Sequence, residues 1–392
     1  MIHRSILRPV LFFLLTLGGL QPALAIPEFA RRFDLECTAC HSIPPKLNAA
    51  GHAFRASGYR EPGLVSGHGN EPRGRLDTVP FATWITLRHE SRGGGVDDTF
   101  LPKVELISGG PIGNRASYFV EWRVVSESLR GDGSFQDRGG RFEDLFLEWA
   151  LTPSQTIKVG QFRSLNQVDV SLRLSPAEPL VFKNGIPTGT DSDPRLQSLM
   201  SFSPSSRSPS LSWSFRSRTG KRPSDGLFHF VTVPFAGEFS IPLSDEASDE
   251  ASFELAGPKG VYAETFWRRG VRSVGGHAFV ENDHWLATAV AVWEFLEAIE
   301  ITGAVGVEHR DDLGENRVRS SLQGEYLWMR GARWRSAAGL RVEEVSDDGG
   351  SRTLVPYAVA AFPNRRYTVL VQAEYRDQDG TDVFVLDLSA IF

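Results

Sequence analysis

A period-two alternation of apolar and polar residues runs through most of the chain after Val79, and it is the feature that most constrains the fold. It is clearest from Arg115 to Val125, and it recurs from Ile299 to His309 and from Tyr367 to Arg376. Successive side chains of a β-strand point to opposite faces, so each alternating segment predicts a strand with one apolar and one polar face. The chain is therefore expected to be mainly β.

Clusters of Gly, Asp and Asn separate the alternating segments, as hairpin turns require. They include GGPIGN at 109–114, DDLGEN at 311–316, SDDGG at 346–350 and DQDG at 377–380. Counting the segments gives roughly 16 strands, an even number within the range of outer-membrane barrels. Residues 164–225 alternate only weakly, which indicates a long loop or a segment inside the lumen.

Three features favour a transmembrane antiparallel β-barrel over stacked soluble sheets. The polar faces carry charges, which suits a wet lumen, and the chain ends in an alternating strand closed by Phe392, which looks like the C-terminal signal of bacterial outer-membrane barrels. Aromatic residues also stand near segment ends on the apolar side, where interfacial girdles would place them. These residues are Tyr118, Trp149, Trp285, Trp293, Tyr367 and Tyr375.

The N-terminus predicts export. Arg4 and Arg8 form a basic start, the run from Val10 to Leu20 is apolar, and a small-x-small site ends at Ala25. We expect residues 1–25 to be a cleaved signal peptide, since the apolar run is shorter than the about 20 residues of a membrane-spanning helix. Its removal leaves 40 of the 42 basic residues against 48 acidic ones, a net charge of −8. This balance disfavours nucleic acid as a partner and leaves room for small cations.

The only two cysteines of the chain are Cys37 and Cys40, and His41 follows them directly. A disulfide across so small a loop would restrict the unfolded chain weakly and would be strained. A thioredoxin-type pair needs a βαβ pattern and a zinc site needs further ligands, and the flanking sequence offers neither. The pentapeptide CxxCH is the attachment signal for c-type haem. We therefore expect one covalent haem c, held by Cys37 and Cys40, with His41 as the proximal iron ligand.

The chain is expected to divide into a small α-helical c-type cytochrome domain at residues 26–77 and a porin-like barrel at residues 78–392. About fifty residues bury little core unaided, and the haem would supply the apolar centre. Within this unit, Gly63 to Gly74 is typical of a flexible linker.

Two helices are expected around the haem. Pro44-Pro45 would end the helix that carries the motif, and a second helix is predicted from Leu47 to Ser57, closed by Gly58. At 100° per residue one face of the second helix would lie against the porphyrin. This face consists of Leu47, Ala50 and Phe54.

The sequence leaves the second axial ligand of the iron open. His52 is nearest, but on a helix it lies about 140° from Leu47 and so points away from the face assigned to the porphyrin. His68 in the linker and Met200 in an irregular segment are the alternatives. A methionine ligand would give a higher reduction potential than a second histidine, and an open sixth position would permit small-ligand chemistry.

Five carboxylates on the polar faces could focus cations toward the haem. Porin lumens are charged in general, however, and Arg123, Lys158 and Arg376 fall among these carboxylates, so no iron site is predicted from them. The carboxylates are Glu121, Glu148, Glu300, Glu308 and Glu374.

The stretch FARRFDLECTACHSIPPKLNAAGHAFRASGY, residues 29–59, resembles the outer-membrane fused cytochrome–porins, whose best-known members oxidise extracellular ferrous iron. The rest of the chain matches that family only in length and pattern. The haem residues carry over individually as Cys37, Cys40 and His41. The flanking matches are Pro45-Lys46-Leu47-Asn48, Gly51, Phe54 and Gly58.

The resemblance implies an electron conduit in the outer membrane of a Gram-negative bacterium, with the haem domain in the barrel lumen or at its periplasmic side. The haem would accept an electron from an extracellular donor, above all Fe(II), and a periplasmic carrier such as a soluble cytochrome would remove it. One alternative is a porin-like channel in which the haem domain is a plug or gate. Another is a periplasmic cytochrome fused to a soluble β-rich binding module.

Overall fold

The structure is a computed structural model that describes most of the chain. The predicted signal peptide, the linker from Gly63 to Gly74, His68 and Met200 lie outside the described residues. The described residues are 29, 36–60, 81–93, 95–129, 135–137, 139–168, 174–176, 179–182, 207–218, 222, 224–236, 239–240, 252–253, 255, 257–281, 284–310, 315–330, 334–346, 350–363, 367–378 and 381–392.

Sixteen antiparallel strands close into one barrel, which confirms the mainly β class and the strand number. The predicted small α-helical domain is not shown, since residues 36–60 contain one α-helix. Each strand pairs with its neighbours in sequence, and the last strand pairs with the first, with Ile391 opposite Trp84. The strands are β1 (Ala82–Arg92), β2 (Val96–Ile112), β3 (Ala116–Val125), β4 (Arg141–Thr152), β5 (Gln155–Arg163), β6 (Arg207–Arg218), β7 (Gly226–Pro234), β8 (Val261–Arg269), β9 (Arg272–Glu281), β10 (His284–Phe295), β11 (Ile299–Arg310), β12 (Glu315–Arg330), β13 (Arg335–Ser346), β14 (Ser351–Pro363), β15 (Thr368–Gln378) and β16 (Thr381–Ile391).

Three short hairpins stand beside the barrel ladder. One pairs His41–Ile43 with Lys46–Leu47 near the N-terminus. A second pairs Glu127–Leu129 with Phe135–Asp137. The third, Phe239–Ser240 with Ser252–Phe253, lies in the connection between β7 and β8, and Ser240 also pairs with Arg141 of β4.

Burial alternates along the strands as the period-two pattern predicts. In β10, Trp285 and Trp293 are exposed on the outer face, whereas Leu286 and Val290 are buried on the inner face. Trp149, Tyr367 and Tyr375 are likewise exposed, as a lipid-facing girdle requires. Tyr118 is half-buried, and its hydroxyl lies 3.1 Å from Ser108 Oγ.

A closed strand ladder with an apolar outer face suits a lipid environment, because no backbone edge is left unpaired within the barrel wall. Charged groups such as Glu105, Glu264 and Arg341 point inward and are buried in the lumen. The chain therefore forms a porin-like outer-membrane barrel. Within the described ranges, no helix has the length and apolar character needed to cross a membrane.

The lengths of the connections orient the barrel. At the end where β1 begins and β16 ends, the strands are joined by short turns, such as those between β2 and β3, β4 and β5, and β8 and β9. The connections between β3 and β4, β5 and β6, and β7 and β8 are long, and all three lie at the opposite end. Outer-membrane barrels have short periplasmic turns and longer extracellular loops. The first end is called the inner, periplasmic end below, and the other the outer end.

Residues 36–60 form a plug inside the inner end of the lumen. Cys37–Ala39 make a single 3-10 turn and His41–Ile43 a short strand, so in residues 36–43 the motif does not lie on the predicted helix. The second predicted helix is present as α1 (Ala49–Ala56). Leu47 precedes it in the short hairpin, because Pro44 and Pro45 form the hairpin turn and Asn48 is the helix N-cap.

Both ends of α1 are capped. Asn48 Oδ1 accepts hydrogen bonds from the backbone N–H groups of Ala50 and Gly51, at 2.9 and 3.0 Å. Gly58 has φ +65° at the C-terminus, where Tyr59 N–H donates to the Phe54 carbonyl at 3.1 Å. The left-handed Gly58 and the hydrogen bond from Tyr59 to Phe54 form a Schellman motif. Gly58 is thereby confirmed as the predicted end of the helix.

Part of the connection between β5 and β6 also lies in the lumen. Glu264 accepts hydrogen bonds from the backbone N–H groups of Asn166 and Gln167, at 2.9 and 2.8 Å. Farther along, Gln372 Nε2 donates to the Leu174 carbonyl at 2.7 Å. The weakly alternating region thus contributes a lumen segment, but its C-terminal part forms β6.

A labelling experiment tests the orientation. Ser346 lies at the outer end and Asn114 at the inner end, and both are exposed. With a membrane-impermeant maleimide on intact cells, we expect Ser346→Cys to be labelled and Asn114→Cys to be labelled only after the outer membrane is permeabilised. The reverse pattern would contradict the assignment of the two ends.

Candidate functional site

A cavity of about 520 Å³ lies in the lumen beside the plug. The plug bounds it on one side, and inward-facing residues of β1 to β5, β15 and β16 bound it on the other. Its volume falls within the roughly 300–1,000 Å³ of ligand and cofactor pockets. All three residues of the predicted haem motif, Cys37, Cys40 and His41, line it.

His41 is held in the form that a metal ligand needs. Its Nδ1 lies 2.8 Å from the carbonyl oxygen of Pro45, and a carbonyl can only accept, so Nδ1 carries the proton. Burial lowers the pKa of His41, which keeps the imidazole neutral at neutral pH. In this tautomer Nε2 has the free lone pair, and a backbone carbonyl on the other nitrogen is the usual support for a metal-binding histidine.

The two cysteines are free thiols. Burial raises the pKa of Cys37 and raises that of Cys40 to about 12. Thr368 Oγ1, at the first position of β15, donates to Cys37 Sγ at 3.4 Å. Disulfide oxidoreductases lower the pKa of their attacking cysteine, so the two thiols lack the character of a thioredoxin-type pair.

Asn48 joins the motif to α1. Its Nδ2 donates to the Thr38 and Ala39 carbonyls at 3.3 and 3.1 Å, while its Oδ1 caps the helix. Its backbone N–H donates to the Cys40 carbonyl at 2.9 Å. Gly51 permits this close packing, since a Cβ there would lie 2.2 Å from the Cys40 carbonyl oxygen.

Aromatic rings form an apolar wall of the cavity. Phe54 and Tyr59 of the plug have ring centroids 5.6 Å apart, and Tyr59 stacks on Phe119 of β3 at 5.5 Å. Phe119 in turn stacks on Phe146 of β4 at 5.7 Å. Lys158 Nζ, also at the cavity, lies 4.7 Å from the Phe146 ring centroid. This wall suits a large planar apolar ligand.

Basic side chains on β1 to β3 form a charged wall of the same cavity. Arg88 makes two hydrogen bonds of 2.7 Å to Asp387. Lys103 and Arg123 both contact Glu105, at 3.0 and 2.7 Å. Arg123 also lies 3.2 Å from Glu143, so an anionic group of a ligand would share these cations with carboxylates of the wall.

Lys46 fixes the plug to the barrel wall. Its ammonium lies 2.6 Å from Glu300 Oε1 and also contacts Glu325. Burial acts to lower the pKa of Lys46, but the two carboxylates outweigh it and raise the pKa, so the ammonium stays charged. The Tyr357 hydroxyl donates to Glu325 at 2.7 Å. The Tyr357 ring lies against Gly339, where a Cβ would overlap it.

Arg335 forms a second attachment of the plug. Its Nη1 donates to the carbonyl oxygen of His41 at 3.0 Å and also to that of Ser42. Ile43 packs in a buried cluster with Leu370 and Ile391 of the barrel wall. The sequence placed Glu300 among the lumen carboxylates, but it indicated neither Arg335 nor the pairing of Lys46 with Glu300 and Glu325. Nothing in one sequence relates positions so far apart.

The face of α1 at the cavity differs from the prediction. Leu47 and Phe54 line the cavity, but Gly51 takes the place expected for Ala50. Helical spacing does not apply to Leu47, since it precedes the helix. His52 lines a second, smaller cavity of about 100 Å³, together with Glu300 and Glu325, and not the cavity of the motif.

The five predicted lumen carboxylates point inward, and each has a cationic partner. The pairs are Glu121 with Arg207 at 3.2 Å, Glu148 with Arg60 at 3.6 Å, Glu300 with Lys46 at 2.6 Å, Glu308 with Arg319 at 2.7 Å and Glu374 with Arg376 at 3.0 Å. Within the described residues, no cluster of three or more His, Cys, Asp or Glu could hold a metal ion.

No protein-family model and no curated protein matches the sequence. Among solved structures, the chain is similar to OmpF of Salmonella typhi, solved in complex with daunomycin, with 12% identity, 80% of this chain and 97% of that chain covered and a TM-score of 0.49. It is also similar to an anion-selective porin from Comamonas acidovorans, with 10% identity, 79% and 98% covered and a TM-score of 0.48. A third similar structure is the channel DcaP of Acinetobacter baumannii, with 12% identity, 80% of this chain and 97% of that chain covered and a TM-score of 0.46. These likenesses concern the fold alone.

The attachment of the plug can be tested at Lys46. Lys46→Met leaves Glu300 and Glu325 without their cation in the lumen, and we expect the plug to lose roughly 3 kcal/mol of docking free energy. Faster amide exchange in residues 36–60 and a higher single-channel conductance in planar bilayers would follow.

The matched control is the triple variant Lys46→Met/Glu300→Gln/Glu325→Gln, in which no carboxylate is left uncompensated. It should recover part of the lost protection. If Lys46→Met changes neither amide exchange nor conductance, the ion pair does not hold the plug.

Proposed function

We propose that this outer-membrane barrel is an electron conduit in which one covalent c-type haem takes electrons from an extracellular donor, most simply Fe(II), and passes them to a periplasmic carrier. The observation that carries the proposal is the placement of the CxxCH residues. Cys37, Cys40 and His41 line one lumen cavity of about 520 Å³, and the His41 ring is fixed by Pro45.

The residues around the cavity fit a c-type haem. Two thiols and a neutral imidazole meet there, and the wall of Phe54, Tyr59 and Phe119 is apolar and aromatic. The opposite wall holds Arg88, Lys103 and Arg123, whose charges suit the propionates of a porphyrin. A metal ion alone would need none of the aromatic surface.

Residues of the plug and of the cavity wall would bind and position the haem. Cys37 and Cys40 would hold the group by thioether bonds, and His41 would provide the proximal ligand. When bound, the haem supplies one-electron chemistry. Asn48 and Pro45 would keep the motif in place, while the aromatic wall would exclude water. For a distal ligand, His52, His68 and Met200 remain the proposed alternatives, and the smaller cavity puts His52 last among them.

The charges at the outer end support a cationic donor. Among the described residues, the exposed acidic side chains at that end are Asp97, Glu344, Asp377 and Asp382, against a single exposed Arg352. A mouth lined by one sign of charge raises the local concentration of the opposite ion. In this reading the activity is that of an Fe(II):cytochrome oxidoreductase.

A channel gated by the plug is the second candidate function. Its supporting observation is that Lys46 and Arg335 hold the plug in the lumen through noncovalent contacts. In this case transport would be the function, and the haem would not exchange electrons with an outside donor.

An absorption spectrum of the detergent-extracted protein separates the two functions. We expect narrow reduced c-type bands after anaerobic addition of Fe(II), because the proposed haem would accept an electron from iron that the acidic outer end attracts. The Cys37→Ala/Cys40→Ala variant should show no bands, and Ser42→Ala, which keeps the motif, should keep them.

A haem that dithionite reduces and Fe(II) does not would remove iron as the donor and favour the gated channel. Absence of c-type bands from protein exported by a strain competent for cytochrome c maturation would contradict the haem itself.

A further inference from the structure

The exposed charges at the inner end of the barrel are mainly basic, although the whole chain carries a net charge of −6. Among the described residues, the exposed charged side chains there are Arg115, Arg222, Arg269 and Arg272 on the basic side and Glu36 and Glu297 on the acidic side. The outer end has the opposite balance. The two ends of the barrel therefore differ in sign, which the net charge does not show.

Two of these arginines, Arg269 and Arg272, flank a turn next to the plug. Gly270, between Arg269 and Arg272, approaches Ala49 of α1, since a Cβ on it would lie 3.8 Å from the Ala49 Cβ. At the other end of α1, Arg216 Nη1 donates to the Ala56 carbonyl at 3.1 Å. Arg269 and Arg272 thus flank a turn that lies beside the helix packed on the Cys40 carbonyl.

We infer that the exposed arginines of the inner end, called the arginine rim, are a docking surface for an acidic soluble protein of the periplasm. The arginine rim consists of Arg115, Arg222, Arg269 and Arg272. The inference rests on the proposed function in one respect, that this partner is the electron acceptor of the haem. Complementary charge raises the association rate of transient complexes and makes it depend on salt. Redox partners form small interfaces of this kind, which must also release quickly.

A pair of probes with one fold and opposite charge tests the inference. We would measure binding of a small soluble cytochrome c, in its native basic form and in its succinylated acidic form, to the full-length protein in phosphatidylcholine nanodiscs at low ionic strength. The test variant is Arg115→Gln/Arg222→Gln/Arg269→Gln. Arg352→Gln, which removes an exposed arginine at the outer end, is the control.

The acidic form should bind more tightly at the inner end, and the triple variant should weaken its binding about tenfold, an effect that 0.15 M salt reduces. Arg352→Gln should leave it unchanged. Any binding of the basic form should survive the triple variant, because it would use the acidic outer end. Equal loss for both probes, or no loss for the acidic one, would overturn the inference. The inference would also be overturned if the triple variant reduced only the binding of the protein to phosphatidylglycerol vesicles. The arginine rim would then bind lipid headgroups.

The same measurement on Cys37→Ala/Cys40→Ala separates the two proposals. Charge-dependent docking that persists in this variant supports the surface independently of the haem. If the wild-type protein carries the haem and docking shows no charge dependence, the docking surface fails and the conduit stands.

Discussion

Closure of the backbone hydrogen-bond ladder is the constraint on which the rest of the structure depends. The pairing of β16 with β1, with Leu388 opposite Leu87 in the middle of the seam, leaves no strand edge unpaired in the barrel wall. In lipid an unpaired edge would cost several kcal/mol for each exposed group, so the strands close completely. Once they are closed, one side chain in two must face lipid and the other must face the lumen.

The charged side chains of the barrel therefore face the lumen. Charged side chains of the plug and of the wall around it need ion-pair or hydrogen-bond partners there. Lys46 lies against Glu300 and Glu325, while Arg335 uses backbone carbonyls of the motif. Isolated charges in such a site would be costly, and pairing offsets that cost. The same rule shapes the motif cavity, in which one wall is aromatic and the other consists of paired basic groups. The proposed conduit would need such a site, because it would fix the redox centre and limit its contact with water.

The architecture was largely predictable because it rests on local pattern. The alternation in Arg115 to Val125 places alternate residues inside and outside with no knowledge of any partner strand. The helix stop at Gly58 was equally local. The motif turn was not predictable, since Asn48 and Pro44-Pro45 together convert an expected helix into a 3-10 turn and a hairpin. The contacts of Lys46 could not be predicted at all, because its partners lie 254 and 279 residues away.

The outcome is a barrel with an acidic outer mouth, a cavity lined by the CxxCH residues and a basic inner rim. That order would carry electrons from a cation outside to an acidic protein inside.

The central claim is the covalent haem, and intact mass spectrometry of the purified mature protein tests it most directly. The account predicts a mass above that of the processed polypeptide by one haem, with the added mass on the peptide that holds Cys37 and Cys40. A mass equal to that of the polypeptide alone, after export in a strain that matures c-type cytochromes, would contradict it.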